Sequence, residues 1–233
     1  MNNRMKYKLR NWRRYPVVTY GILTLTIVMY LLMSLNGGSQ NPFTLVAFGA
    51  KVNEFIALGE WWRLITPIFL HIGLTHIVFN GLVIYFLGAQ LEMLIGHFRY
   101  FLLYLFSGVI GNAASFALNN SISAGASTSI FGLFAATIVL GKLYPNRPSI
   151  QQLSRNYIVL ILLNVVLGLF NSGIDNAGHI GGLVGGYLVM YPISSPNVWN
   201  NPKKQRIKYG AIALAVLIIL IIIGFVRTRQ MNF

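Results

Sequence analysis

Residues 209–226 read YGAIALAVLIILIIIGFV, eighteen positions without one charged side chain. A membrane-spanning helix needs about 20 mostly apolar residues, so this stretch predicts a span. Six runs of the same character precede it, over residues 17–35, 70–91, 100–118, 127–141, 158–170 and 177–191. The composition agrees. Hydrophobic residues make up 55% of the 233 positions and charged residues 9%, against about 25% charged in an average soluble domain. The mean hydropathy is +0.63. Disorder is excluded, because it needs low hydrophobicity and high charge. The expected fold is all-α: a polytopic membrane helical bundle with a six-span core and a seventh span appended. The expected organisation is a basic N-terminal tail (1–16), the six-span core (17–191), a basic linker (192–208) and the seventh helix with a short tail (209–233). Runs 127–141, 158–170 and 177–191 are short for lipid-facing helices. They are expected inside the bundle, with ends below the membrane surface.

The charges set an orientation. Eighteen Lys and Arg stand against four Asp and Glu, for a net charge of +14. An excess of this size can mark a nucleic-acid binder, but here the basic residues lie between apolar runs. With the N-terminus inside, the tail, Arg99, the group Lys142, Arg147 and Arg155, and the group Lys203, Lys204, Arg206 and Lys208 all fall on the inner side. That matches the enrichment of Lys and Arg in cytoplasmic loops. It predicts a cytoplasmic N-terminus, an outer C-terminus and no nucleic-acid partner, in a bacterial plasma membrane. Arg4, Lys6, Lys8, Arg10, Arg13 and Arg14 precede the first run, as in a signal peptide. That run is longer than a signal core and no small-residue cleavage site follows, so it reads as a retained span. The chain has no cysteine, hence no disulfide, thiol nucleophile or Cys-based metal site. The longest non-spanning piece, residues 36–65, lies outside and carries Trp61, Trp62 and Arg63. Its Trp pair by itself reads as an interfacial anchor.

Strongly polar residues inside a membrane are expensive, and each is a functional candidate. The second run opens HIGLTHIVFN (71–80), the fourth is introduced by GASTSIFG (125–132), and the sixth by DNAGHIGG (175–182). Even-numbered spans run from outside to inside, so His76, Asn80, Ser127 and His179 share one depth just below the outer surface. A serine hydroxyl needs a base before it can attack, and histidine is the usual one. His76 and Asn80 lie four apart, on one helix face, and both can donate hydrogen bonds to an oxyanion. Ser127 begins a helix, where free N–H groups and the positive dipole end favour negative charge. Each residue has a plainer reading. Ser127 also fits an N-cap, His76 and Asn80 interhelical hydrogen bonding, and His179 a satisfied core histidine. Asp175 fits either a triad acid for His179 or the N-cap of the sixth helix, and the cap is preferred. His71 and His97 are assigned to no chemistry. Small residues recur every four positions at Gly178, Gly182 and Gly186, at Gly181 and Gly185, and at Gly132 and Ala136. This spacing lets helices approach closely in lipid. A close crossing of the fourth and sixth spans would bring Ser127 near His179.

These residues in this order resemble the rhomboid family of intramembrane serine proteases. The resemblance covers about residues 60–191. It rests on Trp62-Arg63, His76-x-x-x-Asn80, Gly125-Ala126-Ser127 and Gly178-His179-Ile180-Gly181-Gly182. It implies a Ser127–His179 dyad without a triad acid. It implies an oxyanion hole made by the Ser127 N–H with His76 and Asn80, and an aromatic, Phe131, stacked on the histidine. Gly125, Gly182, Trp62 and Arg63 match supporting positions, and the seventh helix matches the six-plus-one arrangement of some members. Two positions depart from the pattern: Thr128 stands where the family usually has Gly, and Gly178 where Ala is frequent. The expected activity is endoproteolysis of transmembrane substrates near the outer face, in contact with membrane lipid and without metal or cofactor. The rivals are a non-catalytic binder of client helices and a transporter. Transport is disfavoured by the apolar inner halves of the spans, such as 83–87 and 133–140.

Overall fold

The computed structural model describes residues 15–169, 173–194 and 201–231. The basic residues from Arg4 to Arg14, the end of the run predicted at 158–170 and the middle of the 192–208 linker lie outside the described residues. Among the described residues there is no strand, only one isolated antiparallel bridge between Lys51 and Ser123. Helix α1 covers Val17–Leu35. The loop that follows carries two short helices, α2 (Pro42–Ala47) and α3 (Asn53–Ala57). Next come α4 (Gly73–Ile95), interrupted by a π-turn at Ile84–Gly88, and α5 (His97–Leu118). The remaining helices are α6 (Ser127–Leu143), α7 (Pro148–Leu169), α8 (Asn176–Ile193) and α9 (Lys203–Met231). Helices α1, α4, α5 and α9 are each long and apolar enough to cross a membrane.

The core is built by α5, α6 and α8, and glycine decides how close they come. A Cβ at Gly182 would strike the Thr128 carbonyl, and one at Gly186 the Gly132 carbonyl. One face of α8 therefore lies directly on the α6 backbone. Its next face lies on α5: a Cβ at Gly181 would meet Ala114, and one at Gly185 would stand 2.9 Å from the Ile110 Cβ. Small residues at four-residue spacing permit such contact where lipid supplies no hydrophobic drive for association. Almost every side chain of α6 is buried in consequence.

Helix α7 departs from the expectation of a short buried segment. It begins at Pro148, ten residues before the predicted run, and Val159, Leu162, Leu163 and Val166 are exposed. The polar stretch 151–156, expected in the segment between the fourth and fifth runs, continues the helix from a favourable N-terminal proline. There Gln151 donates to the carbonyls of Gly141 (2.6 Å) and Tyr144 (3.2 Å), the orphan end of α6. Helix α7 is thus a peripheral helix anchored to α6. Helix α9 likewise begins at Lys203, inside the stretch predicted as linker. It packs against α5 and α8, where a Cβ at Gly224 would strike the Phe116 ring.

Two buried polar nodes fix the ends of the bundle. At the end where α1 begins, the Glu92 carboxylate accepts from the Val18 N–H (2.9 Å), the Thr19 N–H (2.7 Å) and the Thr19 hydroxyl (2.6 Å), and pairs with His97. It thereby caps α1, which follows Pro16 and has no side-chain cap of its own. At the opposite end Arg63 donates to the carbonyls of Val46 (2.8 Å) and Ala50 (2.9 Å) and pairs with Glu60. Asn112 of α5 donates to the Leu64 carbonyl at 3.0 Å. The loop between α1 and α4 is therefore stitched to itself and to the central helix α5.

Candidate active site

Ser127 is the first residue of α6, and the chain reaching it is held at four points. Lys51 and Ser123 exchange two backbone hydrogen bonds (2.9 and 3.1 Å). The Gly125 N–H donates to the Pro67 carbonyl (2.9 Å), and the Ala126 N–H to His71 Nε2 (3.3 Å). Gly125 has φ +151°, a conformation that L side chains rarely adopt. A Cβ there would also stand 2.7 Å from His76 Cε1, 2.9 Å from His76 Nε2 and 3.5 Å from Ser127 Oγ. The glycine thus leaves the gap in which the imidazole and the hydroxyl approach each other.

The Ile72 N–H donates to His76 Nδ1 (3.4 Å), which assigns the proton of the neutral ring to Nε2, the nitrogen on the Gly125 side. Its ring meets that of His71 edge-on, with centroids 5.0 Å apart. One turn further along α4, the buried Asn80 Nδ2 has no hydrogen-bond partner. His179 occupies the first turn of α8 and stacks on Phe131, with ring centroids 4.2 Å apart and planes 15° from parallel. His76, Asn80, Ser127, Phe131 and His179 line one cavity of about 810 Å³, together with Asn119, Ser121, Ser123 and Asp175. Ser127 and His179 share it without a direct hydrogen bond among the described contacts. Catalytic hydrogen bonds are commonly long until substrate is bound.

Asp175 caps α8. Its Oδ1 accepts from the Gly178 N–H at 3.0 Å, and its Oδ2 from the hydroxyls of Ser115 and Ser123. Burial alone would push this carboxyl up, but the hydrogen bonds it accepts hold it below its ordinary value. Among the described residues no group of three or more His, Cys, Asp or Glu is placed to hold a metal.

A family model for the rhomboid domain matches residues 58–196, which contain all of these cavity residues. The chain belongs to the rhomboid family. It is 43% identical over 201 residues to rhomboid protease GluP of Bacillus subtilis (strain 168), covering 86% of this chain but only 39% of that protein. It is 38% identical over 181 residues to putative rhomboid protease YdcA of the same strain, covering 77% of this chain and 89% of that relative. It is 31% identical over 199 residues to rhomboid protease AarA of Providencia stuartii, covering 74% of this chain and 70% of the relative. The chain is an integral membrane protein of a family of serine proteases.

The rhomboid structure brings five sequence-predicted residues, His76, Asn80, Ser127, Phe131 and His179, to one cavity. Gly125 and Gly182 stand at its supporting contacts. Trp62 and Arg63 lie elsewhere, in the loop between α1 and α4. Arg63 is buried there as a tether, and Trp62 is exposed. Trp61 rests against Phe225 of α9 rather than standing free (centroids 5.1 Å apart). His71 was given no chemistry from sequence, yet it is buried and braces the backbone one residue before Ser127. It precedes the start of α4 at Gly73, so no helical spacing could have linked it to His76.

The two departures from the family pattern meet in space. A Cβ at Gly178 would stand 3.1 Å from Thr128 Cγ2, and one at Gly111 only 2.7 Å from Thr128 Cβ. The larger residue after the serine is accommodated by a smaller one before the histidine and by a glycine in α5.

Proposed function

We propose that this rhomboid is an intramembrane serine endopeptidase using a Ser127–His179 dyad. One observation carries the reading: Ser127 and His179 line a single cavity with His76, whose Nε2 faces Gly125 two residues before the serine, and with Asn80, whose amide has an unpaired donor. His179 takes the proton from Ser127 Oγ as that oxygen bonds to the carbonyl carbon of the scissile peptide. The carbonyl oxygen becomes an oxyanion, held by the Ser127 N–H, the His76 Nε2–H and an Asn80 amide hydrogen. The imidazolium returns its proton to the amide nitrogen, the C–N bond breaks, and an acyl-enzyme remains. Water then gives a proton to His179 as its oxygen bonds to the ester carbon, the C–Oγ bond breaks, and His179 returns the proton to Ser127 Oγ, releasing the new carboxyl terminus. The Phe131 stack fixes the plane of the base throughout.

The substrate is a transmembrane or membrane-anchored protein, cut near the outer face after local unwinding, because a helical peptide bond is shielded from attack. The N-terminus is cytoplasmic and the C-terminus outside, in a bacterial plasma membrane. No nucleic acid and no cofactor takes part. The test is labelling with a fluorophosphonate in detergent, followed by mapping of the modified serine. Ser127 is expected to be labelled, with labelling lost in Ser127→Ala and His179→Ala and kept in Ser129→Ala. Ser129 is turned to α5, where a Cβ at Gly108 would strike its hydroxyl. Labelling of another serine, or cleavage by Ser127→Ala, overturns the dyad.

A further inference from the structure

We infer that Asp175 is a positioning residue for His179, through which the loop carrying Ser127 and the helix carrying His179 are kept in register. The inference rests on the dyad proposed above. A triad acid would bond the imidazole directly. Here both carboxylate oxygens are occupied by other donors, and none of the described contacts joins them to the His179 ring.

The donors come from three separate elements. Ser115 lies in the last turn of α5, Ser123 in the loop four residues before Ser127, and Gly178 immediately before His179. The backbone carbonyl of Asp175 also accepts the His179 N–H at 3.0 Å. One carboxylate thus ties the end of the central helix, the nucleophile loop and the first turn of the base helix. The Ser123 side of this knot is itself anchored. Its backbone is bridged to Lys51, and the buried Lys51 ammonium donates to the Asn119 carbonyl (2.7 Å) and Asn53 Oδ1 (2.9 Å). A chain of direct hydrogen bonds therefore runs from the loop between α1 and α4 through Ser123 and Asp175 to the helix turn that presents His179. The dyad spans two helices with no hydrogen bond of its own in this structure, so its spacing depends on such ties. A displacement of about 1 Å at a reacting group can lower a rate about 100-fold.

The measurement is cleavage of a fluorogenic transmembrane peptide by full-length protein in detergent, with active sites counted by fluorophosphonate titration and folding followed by thermal midpoint. Asp175→Ala is expected to lower kcat about 10- to 100-fold per titrated site, with KM within about twofold, and to slow fluorophosphonate labelling in parallel. Asp175→Asn keeps an acceptor for the Gly178 N–H and is expected to restore kcat to within about threefold of wild type. Ser123→Ala is expected to lower kcat by less, and the double variant Ser123→Ala/Asp175→Ala to be no worse than Asp175→Ala alone, because the two act as one unit. A merely structural cap would lower the thermal midpoint while leaving kcat per titrated site and the labelling rate unchanged. That result, or full additivity of the two losses, overturns the inference. If Asp175→Ala does not fold, Asp175→Asn and Ser123→Ala with their double variant carry the same test. Activity retained in Ser127→Ala would instead defeat the dyad itself, so the two failures are told apart.

Discussion

Gly125→Ala separates the geometry of the cavity from the stability of the fold. The added methyl would stand 2.7 Å from His76 Cε1 and 2.9 Å from its Nε2, well inside van der Waals contact, and 3.5 Å from Ser127 Oγ. The loop cannot slide away, because the N–H groups of Gly125 and Ala126 are bonded to the Pro67 carbonyl and His71 Nε2. The imidazole of His76 must therefore turn aside. Two effects follow, with different readouts. An alanine held at φ +151° carries about 1–3 kcal/mol of backbone strain, which appears as a lower unfolding midpoint. A displaced oxyanion donor lowers kcat by about 10²–10³, which appears in folded, titrated enzyme. Removing the imidazole frees the space, so Gly125→Ala added to His76→Ala is expected to cost only the strain, with little further loss of kcat. The assay is turnover of a transmembrane substrate in detergent, normalised to fluorophosphonate-reactive sites. A kcat for Gly125→Ala within about twofold of wild type refutes the claim that the gap between His76 and Ser127 is part of the reacting geometry.

His76→Ala and Asn80→Ala are each expected to lower kcat by up to about 10²–10³ with KM nearly unchanged, and together to do worse than either alone; a change confined to KM would reassign both to interhelical bonding. Lys51 is buried, and burial pushes its pKa down from 10.5 to about 8. The unfolded chain therefore holds that proton to higher pH, and stability is expected to rise between about pH 8 and 10.5, by on the order of 3 kcal/mol in all, and to be flat in this term below pH 8. The thermal midpoint of Lys51→Met should lack that rise, and an identical rise in the variant would refute the assignment. Single cysteines at the exposed positions Gln40 and Lys204 of this cysteine-free chain test orientation: an impermeant thiol reagent on intact cells should label the first and spare the second, and the reverse pattern overturns it.

How much was legible in the sequence depended on whether the signal was local. Apolar runs of about 20 residues are nearly unambiguous, and each of the seven predicted runs, the three shorter ones included, overlaps a long helix among the described residues. Alternating topology then put His76, Asn80, Ser127 and His179 at one depth, and they line one cavity. The start of α7 was not legible, because Gln151, Gln152, Ser154, Arg155 and Asn156 break the apolar run while continuing the helix. Their place becomes intelligible only with α6 beside them, where Gln151 satisfies carbonyls that have no intrahelical partner. The N-cap reading of Asp175 follows from its place four before His179, and its side chain accepts the Gly178 N–H. Its bonds to Ser115 and Ser123, 60 and 52 residues away, have no local signature. His71 was hidden for the same reason: its partner is the backbone of Ala126, and backbone groups have no identity in a sequence.

The distribution of satisfied and unsatisfied polar groups gives the cavity its meaning. In lipid a buried donor without a partner is costly, about 1–3 kcal/mol even by the milder measure of mutational data. The chain satisfies many such groups through long-range bonds. Glu92 gathers the first N–H groups of α1, Arg63 and Asn112 take up loop carbonyls, and Asp175 accepts from three elements at once. Asn80 is different. Its neighbours include no acceptor for Nδ2, although it lies one turn from His76, whose Nε2–H is already oriented by the bond from Ile72 to Nδ1. A donor left open beside an oriented donor and a helix N-terminus is what a site needs if its hydrogen bonds are to form in the transition state. Such donors reorganise little when charge develops, and that is where their contribution to the rate arises. Interhelical bonding would have given Asn80 an acceptor in the resting protein. Its unpaired amide therefore weighs toward catalysis, and the glycines of α8 that bring α6 and His179 together make the same cavity narrow enough to use it.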